Sequence, residues 1–151
     1  MEHSVDIRPA CATDVEAIYA IIAEVAWRIT VDLSTREHVE AMRKQITDYC
    51  LDGLSIVALD EHGIVIGFQL AQIKKWHSDP YIDLRYAAVT AVAADKKVFR
   101  RMIEIMKKHQ MPLLAEVKPD NKSEMANRLQ RYGFRSDVNG PSNFGYRWDP
   151  Q

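Results

Sequence analysis

A basic run between positions 96 and 109 contains side chains that could bind an anionic ligand. Six cations occur in this run, and Glu104 is its only acidic residue. Helical spacing would place the cations opposite an apolar stripe. Such a face is either solvated or contacts a phosphate-bearing ligand or an acidic partner, and the sequence leaves both readings open. The cations are Lys96, Lys97, Arg100, Arg101, Lys107 and Lys108, and the stripe is Phe99, Met102, Ile103 and Met106.

Metal and hydrolase chemistry find no support in the sequence. The histidines are scattered, and no two of them have the spacing of a zinc site. The Gly-x-Ser-x-Gly pattern of a nucleophile elbow does not occur. Cys11 and Cys50 lie outside any Cys-x-x-Cys pair, so we expect two reduced, buried thiols. No metal is therefore expected.

Composition predicts a single globular domain. The chain has 151 residues, of which 47% are hydrophobic, and its formal net charge is -1. This charge argues against a protein that binds nucleic acid through its overall field. No apolar run approaches the roughly 20 residues that a membrane helix needs. Residues 1–8 lack the apolar core of a secretion signal, so a cytoplasmic location is expected.

The first part of the chain has the pattern of a strand followed by two helices. Val5–Arg8 is predicted as a short strand that Pro9 ends. The capping-box spacing of a hydroxyl residue and a glutamate occurs before each helix, at Thr13–Glu16 and at Ser34–Glu37. Gly53 fits the end of the second helix.

The remaining pattern predicts strands that alternate with two further helices. A helix between two strands implies one parallel crossover inside a mainly antiparallel sheet. We therefore predict one α/β (α+β) domain over residues 1–151 with a mixed, mainly antiparallel sheet. After Gly53 the predicted elements are strands 54–60, 64–76 and 81–92, a helix 96–109 capped by Asp95, a strand 113–117, a helix opened by Asn121 and Glu124 and stopped by Gly133, and a hairpin of strands from 134 and over 143–148.

The order and phrasing of these elements resemble the Gcn5-related N-acetyltransferase (GNAT) superfamily. The opening Val5-Asp6-Ile7-Arg8-Pro9-Ala10 looks like the family's first strand, and GIVIGFQL at 63–70 looks like its turn into strand 3. Tyr81-Ile82-Asp83-Leu84 looks like the start of strand 4, and 115–134 like strand 5, helix 4 and a closing Gly-Phe. The resemblance covers nearly the whole chain and lies in the order and spacing of the motifs. It implies a GNAT-like sheet with helices on both faces.

The family's acetyl-CoA loop is the part that this sequence does not match. Its Arg/Gln-x-x-Gly-x-Gly/Ala motif lets backbone N–H groups at a helix N-terminus approach a diphosphate. Alignment on Met102-Ile103 puts the glycine positions at Asp95, Lys97 and Phe99, and the basic position at Ala94. As a cap, Asp95 would compete with phosphate for the N–H groups. The run 96–102 resembles the loop of acetyltransferase-like proteins of tailed phages, some of which are thought not to be enzymes.

The resemblance also implies candidate residues for each part of a site. The proton acceptor would be Asp83 on strand 4, with an exposed strand-edge residue as the alternative reading. The tyrosine that many family members use as an acid falls on Leu129. The candidate substrate-side residues are Trp27, Arg28, Asp32 and Trp76, although Trp27 can equally belong to the core and Trp76 to a simple turn. The candidate cofactor residues are Ala91, Val92, Ala93, Lys96, Lys97, Val98, Arg100 and Asn121.

Two functions from different classes stay open. The first is an acyl-CoA-dependent N-acetyltransferase that uses acetyl-CoA through an altered diphosphate loop and acts on a small-molecule or peptide amine. The second is a non-catalytic domain of the same fold that binds protein or nucleic acid. The sequence leaves the oligomeric state open, with a homodimer as one option. An acidic partner of the basic helix is a further expectation.

Overall fold

The computed structural model describes residues 5–26, 29, 31–91, 97–121 and 124–151 of the chain. These residues form one seven-stranded sheet and four α-helices. The strands are β1 (Asp6–Pro9), β2 (Ile56–Leu59), β3 (Val65–Trp76), β4 (Asp79–Val89), β5 (Leu113–Glu116), β6 (Arg135–Asp137) and β7 (Gly145–Trp148). The helices are α1 (Val15–Val25), α2 (Arg36–Cys50), α3 (Val98–Lys107) and α4 (Met125–Arg131).

The sheet has the strand order β1-β2-β3-β4-β5-β7-β6. Only β4 and β5 pair in parallel, and every other neighbouring pair is antiparallel. The connection from β4 to β5 contains α3, as a parallel pair requires. The predicted mixed, mainly antiparallel sheet with one crossover is confirmed.

Two hydrophobic clusters cover opposite faces of the sheet. One joins α3 and α4 to the sheet, and Met102, Ile103 and Met106 are completely buried in it. The other joins α1 and α2 to the strands through residues such as Ile22 and Ile46. Helices therefore pack on both faces, as predicted. Phe99, 7% exposed, belongs to the first cluster, as the apolar stripe of the basic helix indicated.

The hairpin of β3 and β4 is longer and tighter than predicted. Trp76 pairs with Asp79, so only His77 and Ser78 remain in the turn, where a loop over 77–80 was expected. Both residues have positive φ, at 49° and 71°. Two-residue hairpin turns of the primed types require this backbone, because it matches the twist of the strands.

The predicted caps of the first two helices are displaced by one or two positions. A 3₁₀ turn over Ala12–Asp14 precedes α1, and the Asp14 carboxylate, rather than Glu16, accepts from the N–H of Cys11 at 2.9 Å. Thr35, rather than Ser34, caps α2 by accepting from the N–H of His38 at 3.1 Å. The helices exist as predicted, and the tertiary packing selects between neighbouring capping residues.

The two thiols differ in burial, and the predicted cap of α3 is not described. Cys50 is buried, but Cys11 is exposed, so the expectation of two buried thiols was wrong for Cys11. Burial raises the pKa of Cys50 to about 11. The first described residue of the α3 region is Lys97, and the predicted cap Asp95 lies outside the described residues. No helix in the described part of the chain is long and apolar enough to cross a membrane.

Candidate functional site

The central strands β4 and β5 separate part of the way along their length. Their parallel pairing covers only Ile82–Leu84 on β4 and Leu113–Ala115 on β5. Beyond this point β4 continues to Val89 with β3 as its partner, while β5 pairs with β7 up to Glu116. Among the described residues, the edge of β4 that faces β5 therefore lacks a strand partner after Leu84. Backbone donors and acceptors along such an edge can bind a ligand that has amide groups.

A bulge in β4 lies at the point of separation. Gln69 is opposite Ala87 and Ala71 is opposite Leu84, so Arg85 and Tyr86 together face one residue of β3. The buried side chain of Gln69 donates from Nε2 to the carbonyl oxygen of Tyr86 at 3.1 Å. Because a bulge bends its strand and increases the local twist, it turns β4 away from β5.

A cavity of about 130 Å³ occupies the gap between the two strands. Its lining includes residues from both faces of the sheet. Leu84, Phe99 and Leu129 belong to the cluster under α3 and α4, whereas Tyr86 and Ile29 pack against the cluster under α1 and α2. The gap thus provides an apolar side and a polar side that meet between the strands.

A charged cluster on the α2 side contains the predicted catalytic residue Asp83. The hydroxyl of Tyr49 donates to Oδ2 of Asp83 at 2.7 Å, and Lys74 Nζ lies 2.8 Å from the same oxygen. Arg85 Nε donates to the Tyr49 hydroxyl at 3.4 Å and lies 3.8 Å from Asp83. Asp83 lies in a central strand with its side chain only 18% exposed, so the alternative reading of an exposed edge residue was wrong.

The cations of this cluster stay charged. Burial by itself lowers the pKa of Lys74, but its hydrogen bonds to Asp83 and Tyr49 outweigh burial and raise that pKa above the usual value. Arg85 shows the same balance. Burial lowers its pKa, but its contacts with Tyr49 and Asp83 outweigh burial and raise the pKa above its usual value. Opposite charges at these distances favour the ionised forms.

A second carboxylate and a phenol complete the polar side. Glu116, exposed at the end of β5, accepts from the Ser142 hydroxyl at 2.6 Å. Tyr86 lines the same cavity, and burial raises the pKa of its hydroxyl, although the charge of Arg85 opposes this effect. Within the described residues the Tyr86 hydroxyl makes no hydrogen bond, so it remains available to a ligand.

The start of α3 has the backbone of a glycine-type loop without a glycine. Lys97, one of the predicted glycine positions, has φ 56° and ψ 27°, which is the left-handed conformation. Phe99, another of those positions, lines the cavity and packs against Tyr132 with ring centroids 5.7 Å apart. Leu129, 1% exposed, lines the cavity where the family resemblance implied an acidic hydroxyl.

The other predicted cofactor residues fall in different places. Asn121 lines the cavity. Val98 is 1% exposed, so only its backbone can reach a ligand. Lys97 and Arg100 are exposed and line a shallow groove on α3 rather than the cavity, and Ala91 is exposed just after β4. Val92, Ala93 and Lys96 lie outside the described residues.

The predicted substrate-side residues are not brought together at the cavity. Asp32 is exposed in the connection before α2, where Oδ1 accepts from the N–H of Ser34 at 2.8 Å. Trp76 is 39% exposed at the tip of the β3–β4 hairpin and packs edge-on against His77 at 4.5 Å. Neither residue lines the cavity. Trp27 and Arg28 lie outside the described residues.

Sequence reasoning missed the residues that surround Asp83. Alternation along the predicted strand does put Arg85 on the same face as Asp83, and this signal was present in the sequence. Nothing local indicated Tyr49 or Lys74, because α2 and β3 reach Asp83 only through the tertiary fold. No group of three His, Cys, Asp or Glu residues that could hold a metal occurs among the described residues.

No family profile and no curated protein sequence matches the chain. Solved structures do match in fold. The PaiA N-acetyltransferase from Thermoplasma acidophilum in complex with coenzyme A has a TM-score of 0.72 and 18% identity, over 97% of this chain and 99% of that one. A GNAT-family acetyltransferase from Streptococcus agalactiae has a TM-score of 0.73 and 17% identity, over 97% and 96%.

A polyamine N-acetyltransferase from Drosophila melanogaster, an enzyme that forms N-acetylagmatine, is similar over 97% of this chain and 100% of its own. Its TM-score is 0.75 at 11% identity. The fold of this chain is therefore that of GNAT acetyltransferases, as the sequence predicted.

Proposed function

We propose that the chain is an acyl-CoA-dependent N-acetyltransferase that acts on an amine. The observation that carries this proposal is the cavity between β4 and β5, at the point where the two strands separate. It offers an unpaired strand edge and an apolar wall on one side and charged groups on the other. Neighbours of the same fold are acetyltransferases, and one of them is in complex with coenzyme A. Because a fold by itself does not establish function, the proposal depends on this geometry.

The described residues fit the pantetheine arm of acetyl-CoA. Backbone groups of β4 beyond Leu84 have no strand partner on the β5 side and can pair with its amides. Val117 and Leu129 supply an apolar wall, and Asn121 supplies an amide at the cavity. Acetyl-CoA, when bound, supplies a thioester carbonyl carbon to which the amine nitrogen bonds as the carbon–sulfur bond breaks.

The chain's own residues handle the protons of this exchange. The amine nitrogen loses a proton as it is acylated, and the sulfur that leaves gains one. Tyr86 has a hydroxyl that stays protonated, since burial raises its pKa, and it lines the cavity as a donor. Asp83 and Glu116 are carboxylates of the lining, and Asp83, the acceptor that the family resemblance implies, would accept the amine proton. Its Oδ2 already accepts from Tyr49, which leaves Oδ1 for a further proton.

The diphosphate would be held differently from a glycine loop. The first N–H groups of α3 have no acceptor within the helix, and their dipole favours an anion. Lys97 and Arg100 are exposed at this end of the helix, where they can make charge-assisted hydrogen bonds to phosphate oxygens. The left-handed backbone of Lys97 retains the conformation that a glycine would adopt there.

Two observations favour the second function, a non-catalytic domain. Phe99 puts a ring into the cavity lining at a predicted glycine position, and Leu129 has no hydroxyl where an acid was implied. Calorimetric titration with acetyl-CoA and with CoA at millimolar ligand separates the two functions. A saturable heat with both ligands, together with acetyl transfer to an amine panel, is the expected result. No heat and no thermal shift would remove the acetyltransferase function and leave the binding domain.

A further inference from the structure

We propose that the acceptor carries a carboxylate beside its amine, as an α-amino acid does, and that Arg85 and Glu116 hold the two groups. This inference deepens the proposed acetyltransferase function and rests on it. The two side chains are the oppositely charged pair that flanks the separation of β4 and β5. These two side chains would determine which amines the site selects. Similarity in fold does not determine that selection.

Position along the strands brings these residues together. The last parallel pair is Leu84 with Ala115, so Arg85 and Glu116 are the next residue on each strand. Arg85 reaches Tyr49 of α2 and therefore lies on the α1–α2 face. Ala115 and Val117 pack against the cluster on the opposite face, so alternation directs Glu116 to the same face as Arg85.

Arg85 is oriented before a ligand arrives. Its Nε donates to the Tyr49 hydroxyl at 3.4 Å and lies 3.8 Å from Asp83. Its two terminal nitrogens make no hydrogen bond to any described residue, and the side chain is 36% exposed. A guanidinium fixed at Nε presents these nitrogens as a fork that matches a carboxylate.

Glu116 faces the same space without an ion pair. Its Oε2 accepts from Ser142 at 2.6 Å, and within the described residues no cation lies close enough to pair with it. Arg85 and Glu116 therefore do not pair with each other, although neighbouring strand positions with long side chains can form a salt bridge. A zwitterion bound in the cavity that both residues line could contact both charges.

Two other charged residues of the lining lie near this pair. Asp83 lies 3.8 Å from Arg85 but pairs more closely with Lys74, at 2.8 Å, so Lys74 balances most of its charge. Lys118 is a further cation of the lining, two residues beyond Glu116. It adds to the attraction for a carboxylate and does not reverse the selection for one.

The test compares amines that differ only in the carboxylate, such as L-lysine with cadaverine and L-phenylalanine with phenethylamine. Acetyl transfer is followed by loss of the thioester's ultraviolet absorbance, because the exposed Cys11 would react with a thiol reagent. We expect kcat/KM for the amino acid to exceed that for its partner amine by roughly tenfold or more. Arg85→Gln should then reduce kcat/KM for the amino acid about tenfold more than for the amine.

Arg36→Gln is the matched control, because Arg36 is 90% exposed on α2 and, among the described residues, pairs only with Glu40. It should leave both values unchanged. Equal kcat/KM for the two members of every pair would overturn the inference, and so would an equal loss for both in Arg85→Gln. Acetylation of amines alone would overturn it and leave the proposed function standing.

Binding without acetyl-CoA gives a readout that does not depend on turnover. Titration of the protein with each amino acid should give heat that its partner amine does not give, and Arg85→Gln should abolish this heat. The absence of acetyl-CoA binding would remove the proposed function, whereas the absence of any preference for the amino acid would remove this inference.

Discussion

Tyr49 in α2 donates its hydroxyl proton to Oδ2 of Asp83 in β4 at 2.7 Å, although the two residues are 34 positions apart in the chain. The same hydroxyl accepts from Nε of Arg85 at 3.4 Å. The Tyr49 hydroxyl thus links a helix on one face of the sheet to two charged residues of β4, Asp83 and Arg85. The contact links the stability of the helix packing to the geometry of the proposed site.

Tyr49→Phe should therefore affect both stability and substrate binding. Loss of one hydrogen bond to a charged group should lower the free energy of unfolding by about 1.5–3 kcal/mol. Because Arg85 also loses its hydrogen bond to this hydroxyl, the substitution should raise KM for a carboxylate-bearing acceptor more than it lowers kcat. Urea denaturation and steady-state kinetics measure the two effects. Tyr19→Phe is the control, because Tyr19 keeps its ring contact with Arg43 at 4.2 Å, and it should change neither. A Tyr49→Phe protein as stable as the wild type would contradict the role of this bond.

Substitution of Phe99 tests whether its ring belongs both to the core and to the cavity lining. The ring is 7% exposed, packs against Tyr132 and lines the cavity. Phe99→Ala should lower the free energy of unfolding by about 3–5 kcal/mol, since it leaves a void in a packed core. Phe144→Ala, at a ring that is 42% exposed, should cost much less. Equal shifts in thermal midpoint for the two variants would show that Phe99 is not part of the core.

Lys97 separates two ways of holding a diphosphate. The ammonium is lost in both Lys97→Ala and Lys97→Gly, but only glycine suits φ 56°. If the side chain contacts the diphosphate, both variants should weaken CoA binding by about one to two decades, and less at high salt. Lys97→Gly should be more stable than Lys97→Ala by about 1 kcal/mol. Calorimetry and urea denaturation measure these quantities. Tight CoA binding by Lys97→Gly would instead assign the contact to the backbone.

The hairpin turns provide a paired test of backbone strain. His77 and Ser78 both have positive φ, so Asn-Gly at these positions should raise the free energy of unfolding by about 1 kcal/mol. Gly63, with φ 78° and nothing within 4 Å of an added Cβ, is the converse case. Gly63→Ala should lower the free energy of unfolding by about 1–2 kcal/mol through backbone strain alone. An Asn-Gly variant less stable than the wild type would show that the turn has another conformation in solution.

Protonation of Asp14 should lower the stability of the protein in acid. Arg8 donates two hydrogen bonds to its carboxylate, at 2.8 and 2.9 Å, and these contacts hold the pKa of Asp14 below its usual value. A lowered pKa in the folded state means that the contribution is complete above the unfolded value of about 4. It is then lost as the pH falls through the lower folded pKa.

Urea denaturation between neutral and acidic pH should thus show Asp14→Asn less stable than the wild type at pH 7. The difference in free energy of unfolding between the two proteins should shrink as the pH falls below about 4, because the wild-type carboxylate then becomes protonated. Glu40→Gln breaks a pair of exposed side chains on α2 and should change stability by less than about 1 kcal/mol. A stability difference between Asp14→Asn and the wild type that does not change with pH would contradict the ionic role of Asp14.

The sequence was sufficient for the architecture because its signals are local and periodic. Alternation gave the strands, and the stripe of Phe99, Met102 and Met106 gave the buried face of α3, which the structure confirms. Exact helix starts were less certain, since Thr13, Ser34 and Thr35 offer caps of similar energy. Packing of the whole domain selects among them. The same limit applies to the turn at His77, because nothing in its sequence signals a positive φ.

Periodicity and turn signals are enough to predict one mixed sheet and to put Asp83 on its fourth strand. The contacts of Asp83 depend on the fold, because Tyr49 and Lys74 come from elements that local patterns cannot align in space. It also decided where β4 and β5 separate, since the bulge at Arg85 and Tyr86 depends on register with β3. Local periodicity fixes which residues form a strand, whereas the contacts between strands depend on residues far apart in the chain.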